Sequence, residues 1–350
     1  MKSNTTYTPP PGTAVSRAMA HTLWAMTLTL IFMGALVKSH DAGLSVPDWP
    51  TTYGQNMFLF PPSQWRANIF YEHTHRLVAS LVGFVTLALC GWALVRDRRT
   101  WVRACTAAAL ALVILQGVLG GLTVLLLLPA SVSVAHGVLA QSFLLVTVFL
   151  AYAFSKRRAQ RTDIEGDRAT ARWALALVAA VWIQLVIGAV VRHTESGLAI
   201  PDFPTMGGRW IPAFDSGMLA WINNWRFEHA LGSGAQLPDV TAGQVAIHAV
   251  HRFFAIVVAA VCCGLVRTAW SGRIAHRAAA GAGVLVLAQI VLGIVTVLTE
   301  RQPLFTSLHV VTGACLLAAA WFCALQALPM RRRMDAETGK LVAAANAACR

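Results

Sequence analysis

The sequence predicts an all-α integral membrane protein with eight transmembrane helices in two pseudo-symmetric four-helix bundles and with both termini cytoplasmic. Composition, eight long apolar runs and an internal repeat support this prediction. Of 350 residues, 57% are hydrophobic and only 12% are charged, and the mean hydropathy is +0.60. Such values lie far outside those of soluble domains. Crossing about 30 Å of hydrocarbon takes roughly 20 apolar residues per helix, so the chain has no room for a large soluble domain.

The apolar runs set the predicted domain boundaries. Spans are predicted at 18–38, 73–95, 104–128, 131–154, 171–192, 246–268, 277–299 and 304–328. They divide the chain into an N-terminal tail (1–17), a first four-helix bundle (18–154), a basic linker (155–170), a second four-helix bundle (171–328) and a C-terminal tail (329–350). The first 20 residues lack a short apolar core and a small-residue cleavage site, which argues against a removable signal peptide.

The net charge of +13 indicates membrane topology and no nucleic-acid partner, because the basic residues fall in short clusters between apolar runs. The side that carries both tails and the linker holds 20 of the 28 Lys and Arg residues but only 6 of the 15 acids. Cytoplasmic segments of membrane proteins are enriched in Lys and Arg. Both termini are therefore expected in the cytoplasm, with the opposite loops on the outer side.

An internal repeat relates the two halves of the chain. Four segments return 154, 176, 173 and 173 residues later: Val37–Thr51 as Val191–Thr205, His75-Arg76 as His251-Arg252, Gln116–Val124 as Gln289–Val297, and His136 as His309. The increase in offset places extra residues around Pro212 to Gly243, in an outer loop of the second half. An even number of spans per half gives both halves the same orientation, which predicts a repeat axis along the membrane normal.

Two histidines in each half follow the repeat. His75 and His136 in the first half, and His251 and His309 in the second, are expected at matching depth on two helices of one bundle. Facing imidazoles on two helices can clamp a planar metal cofactor. With no cysteine or acid cluster nearby, two histidines favour haem over zinc or di-iron. A lone membrane histidine is more often a satisfied polar core residue, but four that obey the repeat favour iron ligation.

Charged neighbours distinguish the two halves. Arg76 and Arg252 each follow a candidate ligand, where a guanidinium can pair with haem propionates or simply extend to the interface. Glu72 lies one turn before His75, whereas the repeat places His248 at the equivalent position. This divergence favours proton chemistry in the first half. The alternative is a structural i, i+4 ion pair between Glu72 and Arg76.

Several polar residues have plainer interpretations. Glutamines four residues before a glycine are expected to make interhelical hydrogen bonds at close helix crossings, and Asp48 and Asp202 are expected to serve as turn or cap residues. None of the seven cysteines falls in an outer loop, so they are interpreted as small apolar packing residues. The glutamines are Gln116, Gln184 and Gln289.

These motifs resemble those of the haem A synthase family of cytochrome oxidase assembly, over residues 18–328. They are Gly43-Leu44-Ser45-Val46-Pro47-Asp48-Trp49-Pro50, Glu72-x-x-His75-Arg76, Gln116-x-x-x-Gly120-Gly121-x-Thr123, His136, the second Gly-Leu-x-x-Pro-Asp loop, His251-Arg252 and His309. The resemblance implies an eight-helix enzyme that oxidises the C8 methyl group of haem O to the formyl group of haem A. Successive hydroxylations followed by loss of water are the implied route.

The resemblance also implies roles for the histidine pairs. His251 and His309 would hold a haem b cofactor, while His75 and His136 would take the haem O substrate with Glu72 at the reacting edge. Some family members carry a cysteine pair in the outer loops, but this chain has none, which argues against a role for thiols. The expected location is the cell inner membrane, in contact with lipid and with the haem sites toward the periplasmic face.

The expected partners are a haem O synthase, an electron donor of unidentified type and, for a homo-oligomer, further copies of the chain. Two other functional classes stay open on the residues alone. A di-haem b-type electron-transfer cytochrome would need neither Glu72 nor an exchangeable haem. A haem transporter would need a route open to both faces, whereas the polar groups gather on the outer side.

Overall fold

The computed structural model describes residues 13–161, 166–229, 238–272 and 275–329. Within these ranges, eight helices are long and apolar enough to cross a membrane, and pairing of extended backbone is limited to the isolated bridges Thr52–Gln55 and Met206–Arg209. The prediction of an all-α multi-pass membrane protein is confirmed. The long helices are α1 (Ala14–Ser39), α2 (Asn68–Arg96), α3 (Thr100–Leu125), α4 (Ala130–Phe154), α6 (Arg168–His193), α8 (Ala242–Gly272), α9 (His276–Leu298) and α10 (Pro303–Ala327).

All eight long helices begin one to five residues before their predicted spans, and two short helices were missed. Helix α2 begins at Asn68 and not at 73, and α8 begins at Ala242 and not at 246. Hydropathy detects only the part of a helix that crosses hydrocarbon, so polar outer turns escape it. The short helices are α5 (Lys156–Ala159) in the linker and α7 (Ser216–Glu228) in the extended outer loop. Most of the two predicted tails, and residues 162–165 of the linker, lie outside the described residues.

Each half of the chain forms a closed ring of helix contacts. In the first half, α1 and α3 both contact α2 and α4, and in the second, α6 and α9 both contact α8 and α10. The halves meet where α1 and α4 contact α10 and where α4 contacts α6. Half of the residues in the most apolar 18-residue stretch are buried in α4 and in α10, but only 17% are buried in α3 and in α9. Helices α4 and α10 therefore form the centre of the molecule.

Small and aliphatic side chains fill the contact between the halves. Leu144 and Val148 of α4 pack in one cluster with Ala314 and Ala318 of α10. Lipid tails are as apolar as these side chains, so close van der Waals packing stabilises the contact more than burial from water does. The two alanines allow the helix backbones to approach each other.

Charged side chains link the halves beside their outer loops. The ammonium of Lys38 and the guanidinium of Arg301 each lie 2.6 Å from a different oxygen of Glu195. Arg192, which the repeat relates to Lys38, donates in the other direction to a backbone carbonyl of α1 and, at 2.9 Å, to Ser39. Although burial opposes its ionisation, hydrogen bonds from the two cations hold the pKa of Glu195 below its ordinary value. The link is therefore charged at neutral pH.

Candidate functional site

The four predicted histidines lie on four helices, and each ring rests on a glycine of the long helix that precedes its own. An added Cβ at any of these glycines would lie within 3.3 Å of a histidine Cε1 atom, which is too close for a side chain without moving the ring. The sequence indicated close crossings at three of these glycines but missed Gly34. The pairs are Gly34 with His75 at 3.0 Å, Gly120 with His136 at 3.1 Å, Gly188 with His251 at 3.1 Å and Gly293 with His309 at 3.3 Å.

The structure places the two second-half histidine rings close together, with nearly perpendicular planes. The ring centroids of His251 and His309 are 6.3 Å apart, and their planes are inclined by 72°. Two metal–nitrogen bonds of about 2 Å in line, added to the distance from each nitrogen to its ring centre, require a separation of about 6 Å. The pair therefore fits a single metal ion between two imidazoles, as in a haem with two histidine ligands.

Three of the four rings have a polar atom without a partner. The Nδ1 atoms of His75, His136 and His309 are buried and lack a hydrogen-bond partner within the described part of the chain. Buried polar side-chain atoms in folded proteins are nearly always paired, so exceptions call for an explanation. A satisfied core histidine, the plainer interpretation, does not describe these rings. Each of these rings has a nitrogen available to a ligand, and iron ligation by them stays a prediction.

The expected interhelical hydrogen bonds of the three glutamines are confirmed, and their acceptors are informative. In each case the side-chain amide donates to the backbone carbonyl of a candidate ligand on the next long helix. A carbonyl has a second lone pair, so it can accept this bond and keep its helical one. Sequence spacing gave no sign of these acceptors. The bonds run from Gln116 to His136 at 3.0 Å, from Gln184 to His251 at 2.9 Å and from Gln289 to His309 at 2.7 Å.

Glu72 joins helix α2 to the first outer loop. Its Oε2 accepts a hydrogen bond from the amide of Val46 at 2.8 Å, and its Oε1 lies 2.6 Å from the guanidinium of Arg76. The residue is only 3% exposed. The ion pair that offers the structural alternative for Glu72 is thus present. Proton transfer by Glu72 stays a prediction.

The two arginines that follow candidate ligands bind loop carbonyls. Arg76 donates to the carbonyls of Val46 and Asp48 at 2.7 and 2.6 Å. Arg252 donates to those of Ile200 and Asp202, both at 2.8 Å, and also to Thr205 and to the ring of His248. Each guanidinium therefore ties an outer loop to its helix, a role that sequence reasoning missed. Propionate binding by Arg76 and Arg252 stays a prediction.

Asp48 and Asp202 shape these outer loops, as their turn-forming context predicted. Asp48 accepts hydrogen bonds from the amides of Tyr53 and Gly54 at 2.8 Å, and Asp202 accepts from those of two glycines at 2.7 and 3.0 Å. Burial raises the pKa of each carboxyl, but the hydrogen bonds outweigh it and hold both pKa values below the ordinary value. Both loops are therefore organised around an aspartate carboxylate. The neighbouring arginine binds the backbone carbonyl of the same aspartate.

Replacing Arg252 with methionine is expected to loosen the first outer loop of the second half, at residues 199–215. The substitution removes three hydrogen bonds from a charged donor to loop carbonyls. Such bonds contribute about 1.5–3 kcal/mol each when buried, and Arg252 is only partly so, which leaves an expected local loss of about 2 kcal/mol or more. Protease cleavage within the loop should accelerate roughly tenfold or more. The control is Arg209→Met, an exposed position in the same loop, and equal cleavage rates in both variants would contradict the anchoring role.

The fold and the site define a multi-pass helical membrane protein with two repeat-related pairs of histidines, in which each histidine ring packs against a glycine of a neighbouring helix. Among the described residues, no group of three or more His, Cys, Asp or Glu side chains is placed to hold a metal ion. Residues 17–321 match the family model described as "Cytochrome oxidase assembly protein" (COX15-CtaA), and the chain belongs to this family.

Curated relatives over most of the chain carry one name. "Heme A synthase" of Caulobacter sp. (strain K31) is 31% identical over 339 residues, which cover 84% of this chain and 91% of the relative. The protein of that name from Sphingopyxis alaskensis is 26% identical, with 90% and 92% of the two chains covered. That from Shouchella clausii is 25% identical, with 79% and 85% covered.

Proposed function

We propose that the protein is a haem A synthase, an oxidoreductase that converts the C8 methyl group of haem O to the formyl group of haem A for cytochrome oxidase assembly. The single observation that carries the proposal is the 6.3 Å separation of His251 and His309 in a chain whose repeat supplies a second histidine pair. Family membership and the relatives named "Heme A synthase" support it.

The second half is the cofactor half in this proposal. His251 and His309 would hold a haem b, which would supply one-electron redox chemistry when bound. The chain contributes the placement of these ligands. Gly188 and Gly293 leave space for the rings, and glutamines fix the carbonyls of both histidines across the helix contact.

The first half is the substrate half. His75 and His136 would hold haem O, and the farnesyl tail suits a site within the bilayer because each buried CH₂ contributes about 0.8 kcal/mol. Glu72, one turn from His75, would orient the substrate or hold and move a proton during methyl oxidation. The second half has His248 at the equivalent position, and this difference supports chemistry in the first half alone.

The topology and partners complete the proposal. Two pseudo-symmetric bundles (18–154 and 171–328) would be related by an axis along the membrane normal, with both termini in the cytoplasm and both haem sites toward the periplasmic face of the inner membrane. The enrichment of Lys and Arg on one side supports this orientation. A haem O synthase would deliver the substrate, an electron donor would serve the haem b, and further copies of the chain are candidate partners.

Replacing His75 with alanine is expected to abolish haem A formation and to leave the haem b of the second half nearly unchanged. The variant loses a ligand to the substrate but no contact of the cofactor pair. Extraction of pigments from the purified protein, with haem b, O and A separated by chromatography, measures both outcomes. His229→Ala, an exposed histidine stacked on Trp225, is the control. Normal haem A output would contradict the substrate assignment, and haem b alone in every preparation would instead identify an electron-transfer cytochrome.

A further inference from the structure

The helix surface against which His75 packs differs at one position from the surfaces behind the other three histidines. His136, His251 and His309 each have a glutamine that donates to their backbone carbonyl, four residues before the glycine that carries the ring. The repeat aligns Gly34 of α1 with Gly188 of α6, and it therefore aligns residue 30 with Gln184. Residue 30 is a leucine, which has no side-chain donor.

Leu30 belongs to the apolar interior of the first half. It packs against the buried cluster that contains Leu23, Val82 and Leu89. The His75 ring rests on Gly34 like the others, since an added Cβ there would lie 3.0 Å from its Cε1. Position 30 nevertheless supplies no bond that fixes the His75 carbonyl across the α1–α2 contact.

A resident cofactor and a substrate place opposite demands on their ligands. The haem of the second half must stay bound through many turnovers, whereas the product of the first half must leave. In the second half, a glutamine side chain braces both ligands, His251 and His309, by a hydrogen bond to the backbone carbonyl. In the first half, only His136 is braced in this way. An interhelical hydrogen bond of this kind in a membrane changes an equilibrium by about three- to twenty-fold.

We propose that Leu30, at the place of the bracing glutamine, makes His75 the exchangeable ligand, through which substrate haem is taken up and product haem released. Gln184 is the corresponding positioning residue that helps to retain the resident haem on His251. The inference rests on the proposed function, because it assigns substrate and cofactor to the two halves. It further assigns haem exchange to the side of the first-half site that lies between α1 and α2.

A reciprocal exchange of the two side chains tests the proposal. Leu30→Gln introduces the brace at His75, and Gln184→Leu removes it at His251. The purified holoprotein is mixed with excess apomyoglobin as a haem acceptor, and the haem that remains bound is separated over time into haem b, O and A. Leu30→Gln should slow the loss of haem O and haem A by about three- to twenty-fold and leave the loss of haem b unchanged.

The second variant should show the opposite pattern. Gln184→Leu should accelerate the loss of haem b by the same factor and leave that of haem O and haem A unchanged. Leu30→Met and Gln184→Met are the controls: the first keeps an apolar side chain and should behave as the parent, and the second keeps the length of glutamine without its donor and should behave as Gln184→Leu. If these positions had a purely structural role, the substitutions would change the yield of folded protein. They would not selectively change the rate at which one type of haem is lost.

Two results would overturn the inference. One is an unchanged rate of haem O and haem A loss from folded, haem-loaded Leu30→Gln protein. If that variant does not fold, an unchanged rate of haem b loss from Gln184→Leu protein overturns it instead. Failure of the proposed function is distinguishable, because the parent protein would then show no haem O or haem A to follow.

Discussion

Replacing His251 or His309 with alanine is expected to remove most of the low-spin haem from the purified protein. The two rings would hold the haem iron together, and the 6.3 Å between their centroids leaves space for one iron between them. Loss of either ring leaves a cofactor held on one side only. Haem content per protein and the reduced-minus-oxidised absorption spectrum measure the effect, with His229→Ala as the control.

The two single variants should give the same result, because either one breaks the same pair. If both keep a wild-type haem content and spectrum, the ligand assignment is wrong. A loss confined to one variant would instead place the iron between that histidine and a different side chain. Gln184 and Gln289 can still bind the backbone carbonyls at these positions in the alanine variants. The yield of folded protein must nevertheless be compared in all cases.

Replacing Glu72 with glutamine is expected to give stable, haem-loaded protein that makes little haem A and accumulates the hydroxylated intermediate. Glutamine keeps the shape of the side chain and can still accept the Val46 amide bond, measured at 2.8 Å in the parent. It loses the titratable proton and the charge that pairs with Arg76 at 2.6 Å. Chromatography of the extracted haems, with activity expressed per haem-loaded molecule, measures the outcome.

The structural alternative for Glu72 predicts a different pattern. If the residue only ties α2 to the outer loop, the variant should show a reduced yield with activity per folded molecule preserved. His248→Gln is the matched control, because the repeat places it at the equivalent site in the second half. It should leave methyl oxidation in place. Full specific activity of the Glu72→Gln protein would remove this residue from the mechanism.

The sequence by itself determined the class of protein, the number of long helices and the residues of interest. Burial in lipid depends on the composition of each segment, which can be read in one dimension. The internal repeat singled out His75, His136, His251 and His309, since it aligns the histidine pair of one half with that of the other. It also marked Glu72 as the position where the halves differ.

Only the tertiary structure decided how these residues meet. Which atom faces a side chain across a helix contact depends on the rotation and spacing of both helices, and neither follows from the period of a single segment. The sequence indicated three close glycine crossings and the glutamine hydrogen bonds, but it did not indicate that both meet the histidines. The loop contacts of Arg76 and Arg252 were likewise missed. The absence of a glutamine at Leu30 acquired a meaning only when the other three were seen to hold a histidine in place.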